Sequence, residues 1–221
     1  HEAFGHASEG DLVEAGSSVL SGQIGKTVAS EYVTIVDEGV VDGGYFVPYD
    51  DEGVRKVKTV VVEKGILKSF LTSRRIASKL GVEVTGNGRA QDYATVPIVR
   101  QTNYYMLPGD YGVEELIEDV KEGIYVTGKG VTGGEVNPGV GTFTFSVGVS
   151  WIIRNGEKKE MVRGVTLSGF ILDVLKSVDA VGKDLRIRTS VFGGCGKDHQ
   201  TVKVGLGGPH IRVRKIIVGG R

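Results

Sequence analysis

Glycine recurs throughout this chain, and the stretches between the glycines are rich in valine and isoleucine. The 221 residues include 35 glycines, which favour turns, while the branched residues between them favour extended backbone. Extended segments joined by short glycine turns predict antiparallel hairpins, whereas a parallel sheet needs helical crossovers. We therefore expect an α+β fold, predominantly antiparallel β sheets with a few short helices.

Two hairpins are predicted by their turns. Lys64-Gly65 and Asn155-Gly156 offer the positive φ angles that tight turns need, and each pair lies between two β-rich segments. Two late segments, KDLRIRTSVFGG and HIRVRKIIVGG, predict further strands. The predicted strands are 56–62, 66–72, 142–153, 159–165, 183–194 and 210–220.

Hydrophobic spacing and capping residues predict the helices. A serine precedes the apolar pattern of residues 73–80, Gly81 follows it, and Ser168 is a plausible cap for the helix that it begins. The predicted helices are 73–80, 112–121 and 168–178, with helical character also over 2–14. The chain shows no internal repeat and no linker, so we expect one domain, 1–221.

Charge and composition exclude several partners. The 27 basic and 27 acidic residues cancel, so no nucleic-acid partner is expected. No apolar run approaches the roughly 18 residues of a membrane span, so no membrane contact is expected. The one cysteine allows no internal disulfide, and cytoplasmic localisation follows as the default.

The opening residues, HEAFGH, place Glu2 between His1 and His6. Zinc hydrolysis uses protein ligands, an open position for water, and a base beside that water. A five-residue step leaves two side chains about 140° apart on a regular α-helix. A shared metal therefore predicts a π-type turn or a helix break between Glu2 and His6, which Gly5 would ease. The alternative is a solvated helix face with no metal.

Cys195 is the candidate for a third ligand. Glycines flank it in FGGCGKDHQ, which lets the backbone approach other groups closely. A thiolate completing a set with His1 and His6 would make an acceptable catalytic zinc site. Two alternatives stay open, a small apolar residue buried in the core and a cysteine nucleophile with a histidine base.

Four other polar residues lie near these candidates in the sequence or share their chemistry. Glu9 and Asp11 are interpreted as a further ligand, as partners that orient imidazole N–H groups, or as ordinary acids of a first helix turn. His199 is interpreted as a surface residue or a residue that supports a ligand, and His210 as a strand residue.

Four separated motifs, in order, resemble the C-terminal half of members of the TldD/PmbA family, once called modulators of DNA gyrase. The motifs are HEAFGHASEGD, GSSVLSGQIGKTVASEYVTIVDEG, GNGRAQDYATVPIVRQTNYYMLPG and GGCGKDHQTVKVGLGGPHIRV. The resemblance covers the chain almost from end to end. It implies a C-terminal metallopeptidase domain of TldD type over 1–221, without the N-terminal α+β domain that family members carry before the motif.

The resemblance also implies an activity and a set of site residues. His1, His6 and Cys195 match the zinc ligands, and Glu2 matches the general base. The expected function is zinc-dependent hydrolysis of unfolded or modified peptides by the active subunit, paired with a homologous TldE/PmbA-type subunit or as a homodimer. The alternative is a regulatory, gyrase-modulator-like binding module with a structural zinc site.

Arg100 and Asn103 are candidate substrate-binding residues. Both lie in a β-rich segment that contains tyrosines, and both can hydrogen bond to a peptide backbone or to a terminal carboxylate. The alternative is that Asn103 stabilises a turn and that Arg100 is a surface charge.

Overall fold

A computed structural model describes residues 1–127, 133–189 and 194–220. Strands predominate within these residues, which confirms the predicted fold class. The α-helices are α1 (Gly10–Glu14), α2 (Arg74–Leu80), α3 (Val113–Glu118) and α4 (Ile171–Lys176), and a 3-10 helix covers His6–Ser8. The strands are β1 (Ile35–Glu38), β2 (Thr59–Glu63), β3 (Ile66–Leu67), β4 (Gly88–Arg89), β5 (Ile98–Val99), β6 (Asn103–Met106), β7 (Glu122–Val126), β8 (Gly133–Asn137), β9 (Thr142–Val147), β10 (Ser150–Arg154), β11 (Glu157–Val162), β12 (Val165–Phe170), β13 (Val178–Val181), β14 (Arg186–Thr189), β15 (Cys195–Lys197), β16 (Gln200–Val202), β17 (Gly205–Gly208), β18 (Ile211–Val213) and β19 (Ile217–Gly219).

The strands form several small sheets. The largest has the order β14-β17-β6-β1-β2-β3, and two others have the orders β19-β12-β9-β8 and β11-β10-β7. The pairs β13-β18, β15-β16 and β4-β5 are two-stranded. Among these strand pairs, β17 and β6 run parallel, and the others run antiparallel.

The first predicted hairpin is confirmed, although its strands are shorter than predicted. Strands β2 and β3 pair across Lys64 and Gly65, whose φ angles are 44° and 81°. Both values lie in the left-handed region, as a two-residue hairpin turn requires.

The second predicted hairpin has the expected turn but an unexpected break. Asn155 and Gly156 have φ angles of 49° and 78°, and β10 pairs with β11 across them. The prediction of one continuous strand over 142–153 is wrong, because β9 and β10 lie in different sheets. On the return path, Gly164 has a φ of 72°, which extended backbone does not allow.

Of the three predicted helices, one was confirmed with its caps, one ends earlier and one begins later. Helix α2 has the predicted caps, since the Ser73 hydroxyl accepts a hydrogen bond from the Ile76 N–H and Gly81 has a φ of 66°. Helix α3 ends earlier than predicted. Ser168 as a helix cap is wrong, because it pairs with Thr144 inside β12 and α4 begins three residues later.

The two late segments were only partly predicted. Residues 190–193 of the strand predicted over 183–194 lie outside the described residues, and β14 occupies its earlier part. The single strand predicted over 210–220 is wrong, because β18 and β19 belong to different sheets. His210 lies just before β18, so its assignment to a strand is also wrong.

The main hydrophobic core includes residues from α2 and α4 and from strands of the largest sheet. Phe4 and Ala7, from the first residues of the chain, are buried in this core. Hydrophobic packing therefore holds the opening segment in place without a bound ligand. Within the described part of the chain, no helix has the length and apolar character needed to cross a membrane.

Candidate metal centre

The opening motif folds as a series of tight turns. No regular α-helix joins Glu2 to His6: residues 2–5 are turns, and the 3-10 helix begins at His6. The predicted helix break is thus confirmed, without a π-type turn. Gly5 has an ordinary helical φ of −60°, but a Cβ there would lie 2.1 Å from Gln101 Oε1 and 2.3 Å from the His1 carbonyl oxygen. Position 5 requires glycine because the Gln101 side chain and the His1 carbonyl oxygen leave no space for a Cβ.

Four side chains meet in one cluster, His1, Glu2, His6 and Cys195. One ligand atom from each lies within 4.8 Å of all the others. Cys195 Sγ lies 3.2 Å from His6 Nε2, and the Glu2 carboxylate lies 3.4 Å from His1 Nε2 and 3.5 Å from His6 Nε2. The turn therefore brings a ring nitrogen of His1 within 4.8 Å of one of His6, although five positions separate the two residues.

The members of this cluster differ in their exposure. The side chains of His1 and His6 are 7% and 12% exposed, whereas that of Glu2 is 52% exposed. Cys195 is buried against Val202 and Val204. Glu2 is the member that a molecule arriving from solvent would contact first.

The cluster fits a zinc ion by its donor chemistry and by its unpartnered atoms. Imidazole nitrogen, thiolate sulfur and carboxylate oxygen are the groups that bind zinc in proteins. Within the described part of the chain, the two ring nitrogens of His1 are buried and form no hydrogen bond, which is costly unless another group engages them. A metal ligated by His1 would remove that cost.

The electrostatics of the cluster also favour a cation. Burial raises the pKa of the Cys195 thiol, but the neighbouring imidazoles of His1 and His6 outweigh it and lower this pKa to about 6. Burial lowers the pKa of His6, but hydrogen bonds with Cys195, Glu2 and Glu9 raise it to about 12. Negative charge therefore converges on His6, and a divalent cation would meet the same charge.

Glu9 lies behind His6. Its fully buried carboxylate oxygen is 2.9 Å from His6 Nδ1, so Glu9 contacts the ring nitrogen that faces away from Cys195. Of the interpretations of Glu9, orientation of an imidazole N–H is the one that this contact matches. Asp11 lies 2.6 Å from Lys197 Nζ and is not part of the four-residue cluster.

Cys195 is presented by the β15-β16 hairpin. Asp198 and His199 form its turn with φ angles of 48° and 62°, and His199 is exposed there, as a surface residue. The Arg100 guanidinium donates hydrogen bonds to the carbonyl oxygens of Cys195 and, at 3.2 Å, of Gln200. Arg100 therefore fixes the backbone on which the thiol stands.

Arg100 and Asn103 are both fully buried. Asn103 donates to the carbonyls of Glu38 and Tyr45 and accepts from the Tyr45 N–H, which uses its hydrogen-bonding groups within the fold. The alternative in which Arg100 is a surface charge is wrong. Substrate binding by these two residues stays a prediction, and their contacts describe a structural role.

Sequence reasoning missed three residues around the site. Lys197 is within 3.1 Å of Glu9 and 2.6 Å of Asp11, Gln101 is buried against Gly5, and Arg89 donates to the Gln101 and Lys203 carbonyls. Lys197 lies two residues after Cys195 on β15, where such residues share a face, but the sequence predicted no strand over these residues. Nothing in the sequence marked Gln101 or Arg89.

His210 lies outside the cluster. Its ring contacts Asp184 at 2.6 Å and the Tyr125 hydroxyl at 3.0 Å, and it stacks on the Tyr125 ring. It is not among the grouped ligand atoms.

Comparison with known proteins identifies the family. The family described as the PmbA/TldA metallopeptidase C-terminal domain matches residues 1–220. The chain belongs to the TldD/PmbA family. A protein named "Metalloprotease" from Methanothermobacter thermautotrophicus is 49% identical over 220 residues, which are 100% of this chain and 47% of that protein. The "Zinc metalloprotease TldD homolog" of Saccharolobus solfataricus is 40% identical, over 100% of this chain and 48% of that protein. This chain thus spans about half the length of these relatives.

Solved structures share the fold. TldE from Thermococcus kodakarensis superposes with a TM-score of 0.79 at 24% identity, covering 99% of this chain and 47% of that one. A Thermotoga maritima protein named as a candidate modulator of a DNA gyrase gives a TM-score of 0.75 at 28% identity, covering 98% and 46%. The antiparallel architecture of this TldD/PmbA chain is therefore shared with solved structures.

Proposed function

We propose that this chain is the catalytic domain, 1–221, of a zinc metallopeptidase that hydrolyses unfolded or modified peptides, as the active subunit of TldD type. The observation that carries the proposal is the convergence of four side chains able to bind a metal, from residues 1–6 and from position 195, with one ligand atom of each within 4.8 Å of the others. Family membership supports it, as does the name of the Saccharolobus solfataricus relative, which is called a zinc metalloprotease.

In this proposal His1, His6 and Cys195 hold the zinc ion and Glu2 is the general base. When bound, zinc would polarise a peptide carbonyl and lower the pKa of water towards about 7. Three protein ligands leave a fourth position open, which is the arrangement of catalytic rather than structural zinc sites.

Glu2 is suited to moving a proton. A hydrogen bond with His6 lowers the pKa of the Glu2 carboxyl below its usual value, so the group is ionised and able to accept. It is also the most exposed member of the cluster. Glu2 would take a proton from the attacking water on a carboxylate oxygen and pass it to the departing amine.

The partners belong to the proposal as well. The substrate is a peptide, and the second subunit is a homologous TldE/PmbA-type chain or a second copy of this one. The balanced charge of the chain, 27 basic against 27 acidic residues, supports a function without nucleic acid. The proposal also includes a cytoplasmic location and no membrane partner.

The decisive experiment measures metal and activity on the same preparation of the full-length protein with its partner subunit. Wild type should contain zinc and digest an unfolded peptide, and a chelator should abolish digestion. Glu2→Gln should retain zinc while kcat falls by about 10²–10⁴-fold, the usual range for losing a general base. A Glu2→Gln enzyme that keeps full activity would exclude Glu2 as the base, and digestion that survives metal removal would favour the cysteine nucleophile.

A second candidate function is a regulatory binding module with a structural zinc site. It is favoured by the position of Glu2, whose carboxylate lies close enough to both imidazoles to serve as a fourth ligand and so to close the site. In that case Glu2→Gln would lower the zinc affinity, and the wild-type protein would digest no peptide.

A further inference from the structure

The strand that carries Cys195 is not anchored by a large sheet. Strand β15 pairs with β16 in a two-stranded sheet that joins no further strand among the described residues. The thiol nevertheless lies 3.2 Å from the ring of His6, which is 189 positions earlier in the chain. Because no strand pairing among the described residues joins β15 directly to the histidine segment, side-chain contacts help to set the distance between them.

Lys197 supplies such contacts. Its ammonium lies 3.1 Å from a Glu9 carboxylate oxygen and 2.6 Å from Asp11 Oδ1, and it donates to the Val99 carbonyl at 3.1 Å. Its side chain is only 8% exposed. An ammonium has three N–H groups, and these three contacts account for all of them. Lys197 and Cys195 lie two positions apart on one strand, so they project to the same side.

Glu9 connects this contact to a candidate ligand. The same carboxylate oxygen, Oε2, lies near Lys197 Nζ and 2.9 Å from His6 Nδ1. Nδ1 is thereby engaged, which leaves Nε2 directed at Cys195. A continuous path of hydrogen bonds thus runs from the strand of Cys195, through Lys197 and Glu9, to the ring of His6.

We infer that Lys197 is a positioning residue, which ties the Cys195 hairpin to the histidine segment through Glu9 and Asp11 and so sets the distance between the thiol and the imidazoles. The inference rests on the proposed function, in which these groups bind one zinc ion. Partners behind the ligands commonly tune metal affinity by 10–100-fold.

A general stabilising role is the competing explanation, and it makes different predictions. Buried ion pairs are weak evidence for stability, yet removing one partner destabilises a protein. A structural role would lower the melting temperature without altering metal geometry. Lys79 offers a control outside the cluster, since its half-exposed ammonium lies 2.7 Å from Glu14. This ion pair also joins the N-terminal segment, but it does not involve the Cys195 hairpin.

The experiment uses the full-length protein with its partner subunit, stripped of metal and titrated with Zn²⁺ or Co²⁺ alone. Lys197→Met should weaken zinc affinity by about 10–100-fold, and its cobalt form should show a weaker thiolate-to-cobalt absorption band. Lys197→Arg, which keeps the charge and the donors, should recover part of both. Lys79→Met should bind both metals as wild type does.

The outcomes separate this inference from the function on which it rests. Wild type that binds neither metal overturns both. Metal-binding wild type together with unchanged affinity and cobalt spectrum in Lys197→Met overturns the inference alone. If Lys197→Met and Lys197→Arg both fail to fold, as judged by circular dichroism of the metal-free proteins, Lys197 is a stability residue and the positioning role is excluded.

Discussion

Gly5 shows how a single residue shapes the site. It lies between the two candidate histidine ligands, where Gln101 Oε1 and the His1 carbonyl leave no room for a Cβ. Sequence reasoning expected glycine to allow a distorted backbone, but its φ of −60° is ordinary. Close packing explains the glycine, and the side chain that packs there comes from a segment about 100 positions away, which no local pattern reveals.

Gly5→Ala should therefore destabilise the protein. Forcing a methyl group into a filled space costs about 1–3 kcal/mol, measured as the loss in free energy of unfolding of the metal-free protein. Gly196→Ala is the control, because a Cβ there meets nothing within 4 Å. Combining Gly5→Ala with Gln101→Ala should recover only part of the loss, since the His1 carbonyl remains. Equal stability of Gly5→Ala and wild type would contradict the packing argument.

The residues of the candidate site were predictable to different degrees. His1, Glu2 and His6 are close in sequence and follow a recognisable spacing, and Cys195 is the chain's single cysteine. Burial, by contrast, is a property of the whole fold. The sequence therefore could not show that Arg100 has no exposed surface and holds the Cys195 carbonyl instead of facing solvent.

At the scale of elements, local signals predicted turns better than they predicted sheets. The Lys64-Gly65 and Asn155-Gly156 turns and the caps of α2 depend on adjacent residues, and they form as expected. The change of sheet between β9 and β10 depends on which strands lie on either side. Ser168 illustrates the same limit, because pairing with Thr144 in β12 overrides its tendency to cap a helix.

Asp37 on β1 connects several elements through a buried hydrogen-bond network. Its carboxylate predicts how the stability of the fold depends on pH. Burial raises the pKa of Asp37, but the Lys56 ammonium at 2.9 Å and hydrogen bonds from Asn87 and Thr102 outweigh it, so this pKa lies below its usual value. An unfolded aspartate titrates near pH 3.9. The unfolded state therefore binds more protons on acidification, and the network's contribution is complete above about pH 5 and lost as the pH falls through the folded-state pKa.

Urea unfolding between pH 7 and pH 3 tests this. Wild type should lose stability on the acid side, and a double variant, Asp37→Asn with Lys56→Met, should lose less across the same interval, because it lacks the titrating group. Glu31→Gln removes an exposed carboxylate and should leave the acid slope close to that of wild type. Parallel slopes for wild type and the double variant would show that Asp37 does not drive acid sensitivity.

At the scale of the molecule, the candidate site joins segments that are far apart in the sequence. The family match extends over residues 1–220, and the clustered side chains come from the first six residues and from position 195. Many small sheets lie between these positions. A metal held by both segments would bind the folded state more tightly than an unfolded chain, in which Cys195 is far from the two histidines.

Metal binding should consequently stabilise the fold by mass action. Free zinc at about 100 times its Kd should add about 2.7 kcal/mol to the free energy of unfolding, and a chelator should remove this gain as a fall in Tm of the full-length protein. Cys195→Ser should lose most of the response, because it keeps the shape of the side chain but lacks the thiolate. The same zinc-dependent rise in Tm in Cys195→Ser would mean that the stabilising ion binds elsewhere. A rise in wild type alone would indicate that the ion links the first residues of the chain to the β15-β16 hairpin.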